Sequence, residues 1–296
     1  MKPDDASLPS SSERTVRKYA DLLLRKAGAY GRFPTPVGDL VGAARLEIAR
    51  ESALSCVGLD RIYRMLPNAF KLAPDKIKRA ASKVIGLLDR EDRAIHLDPK
   101  AHPKRRLYVT VHEIGHEFLP HQRDTFAVLE DSDTELDADT SDLYEREANC
   151  FACETLFQLD AFRDEAADSP VSIKVPLALA KKFGPSVYAS CRRYVSQHRK
   201  SCALIVFNPV AMEEDGTRVL NLRRAIHSPA FEVEFGQVAW PKTCRAGDFF
   251  YDHQPANRFT APRPAALVDL NKVRRPCTVE AFNSSHQVLF LFHPIA

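Results

Sequence analysis

The chain is poor in the features that mark membrane, disulfide-stapled or fibrous proteins. No apolar run in its 296 residues approaches the roughly 20 needed to span a bilayer, so no membrane attachment is expected. Its seven cysteines, at positions 56, 150, 153, 191, 202, 244 and 277, are odd in number and scattered, which argues against a disulfide framework. Reduced thiols in the cytoplasm are the expectation. Residues 1–14 are polar and lack the apolar stretch of a secretory signal, so they are expected to form a disordered tail. Excess charge of one sign is also missing: 42 basic against 39 acidic residues leave a net +3, too little to name a partner. Nothing repeats along the chain.

What is present is an ordinary globular composition, 45% hydrophobic and 27% charged, over a length that suggests more than one domain. Within it stands one chemical signature, His112-Glu113-Ile114-Gly115-His116. Two histidines four apart on a helix lie about one turn from each other, so both imidazoles can reach one metal ion. The glutamate between them is then placed to act as a base on water.

The context suits a helix over 104–118. Pro103 fits a first-turn position and Pro120 a stop. Leu107, Val111, Ile114 and Phe118 form one apolar stripe, with His112 and His116 away from it. Just before, Ala94 to Asp98 alternates and ends at Pro99, which predicts a strand; its edge could hold an extended substrate. Leu46 to Ala49 is a second candidate strand, and Ser82 to Leu88 an apolar run of either type.

A catalytic zinc usually takes three protein ligands. The third is sought on a following helix, over Tyr144 to Phe157. Glu145 and Asn149 share a face there, so Glu145 can bind the metal while Asn149 supports the site from behind. Glu147 is the alternative; it points about 200° away from Glu145, so only one of the two can face the metal. Zn²⁺ is the expected ion, with Mn²⁺ an alternative in the cell, since a two-histidine, one-glutamate site accepts several divalent ions. Tyr108, Tyr144 and His121 are candidate donors to a developing oxyanion. The acidic residues between Thr125 and Asp142 are expected in a solvated loop, because the glycine of a calcium loop is missing. Cys150 and Cys153 have the spacing of a redox or zinc pair, but no second pair exists, and packing is the expected role.

Downstream the character changes. Residues 170–200 contain no acidic residue and carry Lys174, Lys181, Lys182, Arg192, Arg193, Arg199 and Lys200. Pro176 to Phe183 and Ser186 to His198 predict two helices joined at Gly184-Pro185, a helix-turn-helix-like arrangement. The segment lacks the interleaved aromatics of a committed nucleic-acid binder, so direct DNA binding is disfavoured. From Cys202 onward β patterns dominate, with candidate strands at 203–207, 219–222, 231–235, 248–251, 266–270 and 288–292.

The signature HEIGH, followed by EREANCFACETLF, resembles the ImmA/IrrE family of metallopeptidases. The opening ADLLLRKAGAYGRFPTPVGDLVGAARLEIA and the IHLD strand before RRLYVTVHEIGH are similar to it as well, so the likeness covers about residues 15–160. The basic helical segment and β-rich tail resemble the radiation-response regulators of that family. The resemblance implies an α+β multidomain protein: a zincin-like metallopeptidase domain over 15–165, a helix-turn-helix-like segment over 166–200, and a GAF-like sensor domain over 201–296 with a small-molecule ligand. It implies a gluzincin-like zinc metalloprotease with His112, His116 and Glu145 as ligands and Glu113 as catalytic residue. The implied substrate is a helix-turn-helix (XRE-type) transcriptional repressor, whose cleavage derepresses DNA-damage response genes. A non-catalytic, DNA-binding regulator is the alternative. The long acidic insert before Tyr144 departs from the family's usual spacing, so the distance between the two motifs is not diagnostic.

Overall fold

The computed structural model describes residues 6–52, 54, 85–130, 136–236 and 238–295. The chain divides into two units, residues 1–161 with 182–185 and residues 162–181 with 186–296.

The first unit opens with α1 (Ser10–Lys26), a helix because Val16, Ala20, Leu23 and Leu24 recur at helical spacing and are all buried. Residues 10–14, expected in a disordered tail, belong to it. Pro9 sets the start: its carbonyl accepts from the Glu13 amide at 3.0 Å, and Glu13 lies where the helix dipole favours an acid. A short helix α2 (Val37–Ala43) follows. Three strands then form a small sheet in the order β1-β3-β2: β1 (Glu47–Ile48), β2 (Gly86–Asp89) and β3 (Ala94–Leu97). Of the expected apolar run, residues 82–84 lie outside the described residues. β3 pairs in parallel with β1 and antiparallel with β2, and all four of its residues are buried. Both its edges are used, so β3 cannot take up a substrate strand as expected. Among the described residues β2 is an outer strand instead.

Helix α3 (Pro103–Phe118) carries the signature. Pro103 occupies its first turn and His102 caps it, Nδ1 accepting from the Lys104 amide at 3.2 Å. Its buried face keeps Val111 and Ile114 of the expected stripe but differs at the stripe's ends. Leu107 is exposed and Phe118 half-buried, whereas Thr110, Val111, Ile114 and Gly115 are buried. The reason is Gly115. A Cβ there would lie 3.3 Å from the Ala148 Cα and 3.2 Å from the Phe151 ring, so the missing side chain lets the next long helix approach the Gly115 side of α3.

Pro120 ends α3 but also begins α4 (Pro120–Glu130). Residues 125–130, expected in a loop, are therefore helical: a proline that stops one helix is equally suited to the first turn of another. Residues 131–135 lie outside the described residues. Asp137 then caps α5 (Ala138–Leu156), accepting from the amides of Asp139 and Thr140 at 3.1 and 2.9 Å, so this helix starts before the expected Tyr144. α5 packs against α1 and α3, and the core between them includes Leu23, Ile95, Val111, Ile114 and Phe151. Each such buried side chain contributes roughly 1.5–3 kcal/mol.

The second unit takes most of the basic segment together with the β-rich tail. α6 (Ala161–Ala167), α7 (Lys174–Phe183) and α8 (Val187–Ser196) precede an antiparallel sheet; α6 begins, and α7 ends, within the first unit. Its strands are β4 (Ala203–Phe207), β5 (Ala211–Met212), β6 (Arg218–His227), β7 (Thr243–Cys244), β8 (Arg263–Val268), β9 (Arg274–Asn283) and β10 (Val288–Pro294). They run in the order β5-β6-β4-β10-β9-β8, with β7 beside β6. α8 packs on β4 and β6; β4, whose Ala203, Ile205 and Phe207 enter the sheet's core, is buried along its whole length. Two expected strands are helices, α9 (Pro229–Phe235) and α10 (Phe249–Asp252). At α9 a strong cap outweighs the β-propensity of its phenylalanine and valine: Ser228 Oγ accepts from the Phe231 amide at 3.1 Å, and Pro229 stands in the first turn. Phe207, Phe231, Phe250 and Phe290 fill a second core. No disulfide joins the described cysteines, and no helix among the described residues is long and apolar enough to cross a membrane.

Candidate metal centre

α3 turns His112 and His116 towards each other, with their Nε2 atoms 3.1 Å apart. α5, drawn in at Gly115, brings Glu145 across them. Its Oε2 lies 3.4 Å from His112 Nε2 and its Oε1 3.6 Å from His116 Nε2. These three residues are a group of potential ligands whose donor atoms all lie within 4.8 Å of one another. Four-coordinate zinc, with bonds of about 2.0–2.1 Å, needs neighbouring donors roughly 3.3 Å apart. The observed separations bracket that value, so two imidazoles and one carboxylate here fit a divalent metal ion.

Glu147, the alternative third ligand, points elsewhere. Its carboxylate is buried, pairs with His121 Nε2 at 2.6 Å and accepts from Gln122 Nε2 at 2.8 Å. Asn149 accepts from the Tyr108 hydroxyl at 2.7 Å and bonds towards His112, so it stands behind the cluster. Of the candidate oxyanion donors, Tyr108 is thus engaged with Asn149, His121 with Glu147, and the Tyr144 hydroxyl with Thr125 Oγ1 at 3.0 Å.

Glu113 lies beside the ligands and beneath β2. A Cβ on Gly86 would come within 3.1 Å of its Oε1. Burial raises the Glu113 pKa, against the charges of His112 and Arg90 and the backbone amide of Leu88, which lower it. A carboxyl held above its ordinary range is a better proton acceptor than an exposed one. For His116, burial and the neighbouring His112 charge depress the pKa. Burial also opposes the charge on His112, but the bond to Glu145 and the charges of Glu113 and Glu145 prevail and raise its pKa. Burial pushes the other way at Glu145, where the two imidazoles win and lower it. Glu145 therefore stays an anion facing the histidine pair.

Two residues around the site have no counterpart in the sequence reading. Gln122, fully buried, accepts from His116 Nδ1 through its Oε1 at 2.8 Å. Arg90 lies 3.8 Å from Glu117 and 4.3 Å above the Phe126 ring, which in turn meets the His116 ring edge-on. Gln122 was legible only to a reading that continued the helical structure past Pro120. Arg90 sits in the turn after β2, and spacing alone gives no sign of it.

Comparison with known proteins finds no match among curated ones. Among solved structures, a Mycobacterium tuberculosis transcriptional regulator is similar at 12% identity and a TM-score of 0.41, covering 95% of this chain and 81% of its own. Residues 76–194, which carry both histidines, Glu113 and Glu145, match the family described as the IrrE N-terminal-like domain (Peptidase_M78).

Proposed function

We propose that this protein is a zinc-dependent endopeptidase that cuts a helix-turn-helix (XRE-type) transcriptional repressor and so releases DNA-damage and radiation-response genes. The observation that carries the catalytic part is the closure of His112, His116 and Glu145 into one donor set beside the buried Glu113. A divalent ion held there supplies Lewis acidity and makes water a nucleophile near neutral pH. His112, His116 and Glu145 hold the ion, and Asn149 supports His112. Glu113 takes the proton of the attacking water and returns it to the leaving amine. β2, the outer strand against Glu113, is the edge along which an extended peptide would lie, main chain to main chain.

The repressor substrate, the cytoplasmic setting and the GAF-like character of the C-terminal sheet rest on the family resemblance. A sensor role for that sheet has one further support. Trp240, Phe249, Phe250, Leu267, Phe292 and Arg274 are among the residues lining an open cavity of about 590 Å³ in the second unit. Its size suits a small organic ligand.

The competing reading, a DNA-binding regulator with an inert peptidase domain, needs a recognition helix presented to solvent. α8, the second helix of the basic pair, is packed on β4 and β6 and leaves only Ser196 exposed. That favours the peptidase.

The test is incubation of the protein and Zn²⁺ or Mn²⁺ with an XRE-type repressor. Discrete fragments are expected, and Glu113→Gln should slow their release by about 10²–10⁴-fold. Cleavage by Glu113→Gln at the wild-type rate would overturn the mechanism. Salt-sensitive DNA binding that survives loss of His112, without cleavage, would favour the regulator.

A further inference from the structure

Behind His116 lies a buried side-chain chain that the peptidase reading does not use. Gln122 is fully buried in α4. Its Nε2 donates to Glu147 Oε2 at 2.8 Å and to the Tyr144 carbonyl at 3.2 Å. Its Oε1 lies 2.8 Å from His116 Nδ1. Glu147 is in turn held by His121 at 2.6 Å.

The orientation of a glutamine amide is decided by its partners. A backbone carbonyl only accepts, and that of Tyr144 lies 3.2 Å from the Gln122 amide on the same side as Glu147. The NH₂ of Gln122 must therefore face Glu147 and Tyr144, and its oxygen must face His116. An oxygen there can only accept, so the proton of His116 has to sit on Nδ1. The lone pair is left on Nε2, the atom that points at His112 and Glu145.

We infer that Gln122 is a positioning residue: anchored by Glu147 and the Tyr144 carbonyl, it fixes His116 as the Nδ1–H tautomer and keeps Nε2 free to bind metal. The sequence logic is compact. α4 starts directly after α3, which returns Gln122 to His116 six residues on, and α5 supplies the two acceptors that lock the amide. This inference rests on the metal-centre reading above and adds a residue that selects the ligating atom.

The experiment uses the full chain labelled with ¹⁵N-histidine, at pH 8 and treated with chelator, with the His116 signals assigned by their loss in His116→Ala. Long-range ¹⁵N–¹H correlations distinguish the tautomers, and the expected signature is Nδ1–H. Zn²⁺ affinity is then measured by competition with a chromophoric chelator for the wild type and for Gln122→Met, which keeps the length and removes the acceptor. The expected loss is about 10–100-fold, with His116 redistributed between tautomers. A wild-type His116 protonated on Nε2 would overturn the inference. So would a Gln122→Met protein with unchanged tautomer and affinity within twofold of wild type. Should Gln122→Met fail to fold, the wild-type tautomer still decides. If the wild type binds no zinc, the metal reading falls, while the tautomer separately judges the role of Gln122.

Discussion

The Nε2 atoms of His112 and His116 lie 3.1 Å apart, and Glu145 reaches both. Two imidazole nitrogens this close must share a proton or a cation. Zinc at a hundredfold its Kd should add about 2.7 kcal/mol to the folded state. A rise in melting temperature of several degrees is expected by scanning calorimetry, reversed by chelator and absent in His116→Ala. An equal rise in His116→Ala would place the metal elsewhere.

Gly86 is where β2 meets α3, the helix bearing the signature. A Cβ there would sit 2.2 Å from Val109 Cγ1 and 3.1 Å from Glu113 Oε1. Gly86→Ala should destabilise by about 1–3 kcal/mol and cut the proposed peptidase activity further by displacing Glu113. Gly38, inside α2 with nothing within 4 Å of its Cβ position, is the control. Gly38→Ala should stabilise by roughly 0.5–1 kcal/mol. Urea titrations of both variants check the contrast, and equal effects would remove the steric argument.

Arg17 in α1 pairs with the buried Glu154 of α5 and with Asp160 at 2.8 Å. Arg17→Met keeps the stem and removes the charge, leaving Glu154 short of its cation. A loss of about 1–3 kcal/mol is expected. Glu154→Gln in the same background should recover part of it, because a neutral amide costs less to bury. A double-mutant cycle measures the coupling, and a value near zero would make the pair incidental.

In the second unit, Glu280 on β9 is buried against His293 Nε2 at 3.1 Å and Ser172 Oγ at 3.0 Å. Burial raises its pKa, but those two bonds outweigh burial and lower it. A folded carboxyl that titrates below its unfolded value, about 4.3 for glutamate, adds stability that is complete above that pH. The contribution is lost as pH falls through the lower, folded value. Glu280→Gln should therefore be less stable than wild type at neutral pH, with the gap narrowing below about pH 4. Trp240, the single tryptophan, lies in this unit and reports its unfolding. A gap independent of pH would show that the loss comes from packing alone.

Local patterns carried much of the first unit. The stripe in α1, the strand at 94–97, the helix bearing the signature and the helix bearing Glu145 all follow from periodicity and from proline position. Three of the errors share one cause, a cap or first-turn proline outweighing a pattern. Ser228-Pro229 turned an expected strand into α9, and Pro120 and Asp137 opened helices inside an expected loop. β9 escaped notice because it begins with Arg274, Arg275 and Pro276, and only pairing with β8 and β10 makes that stretch a strand.

The sequence by itself determined that His112 and His116 share one side of a helix, with Glu113 between them, because the helical repeat is a local property of the backbone. That Glu145, the favoured candidate, reaches both histidines while Glu147 turns to His121 belonged to the tertiary structure. So did the contact of Gln122 with His116 and the rotation of the buried face away from Leu107. Each depends on how closely α5 approaches α3 at Gly115 and on α4 folding back after Pro120, and such contacts between distant segments are not encoded in the spacing of either.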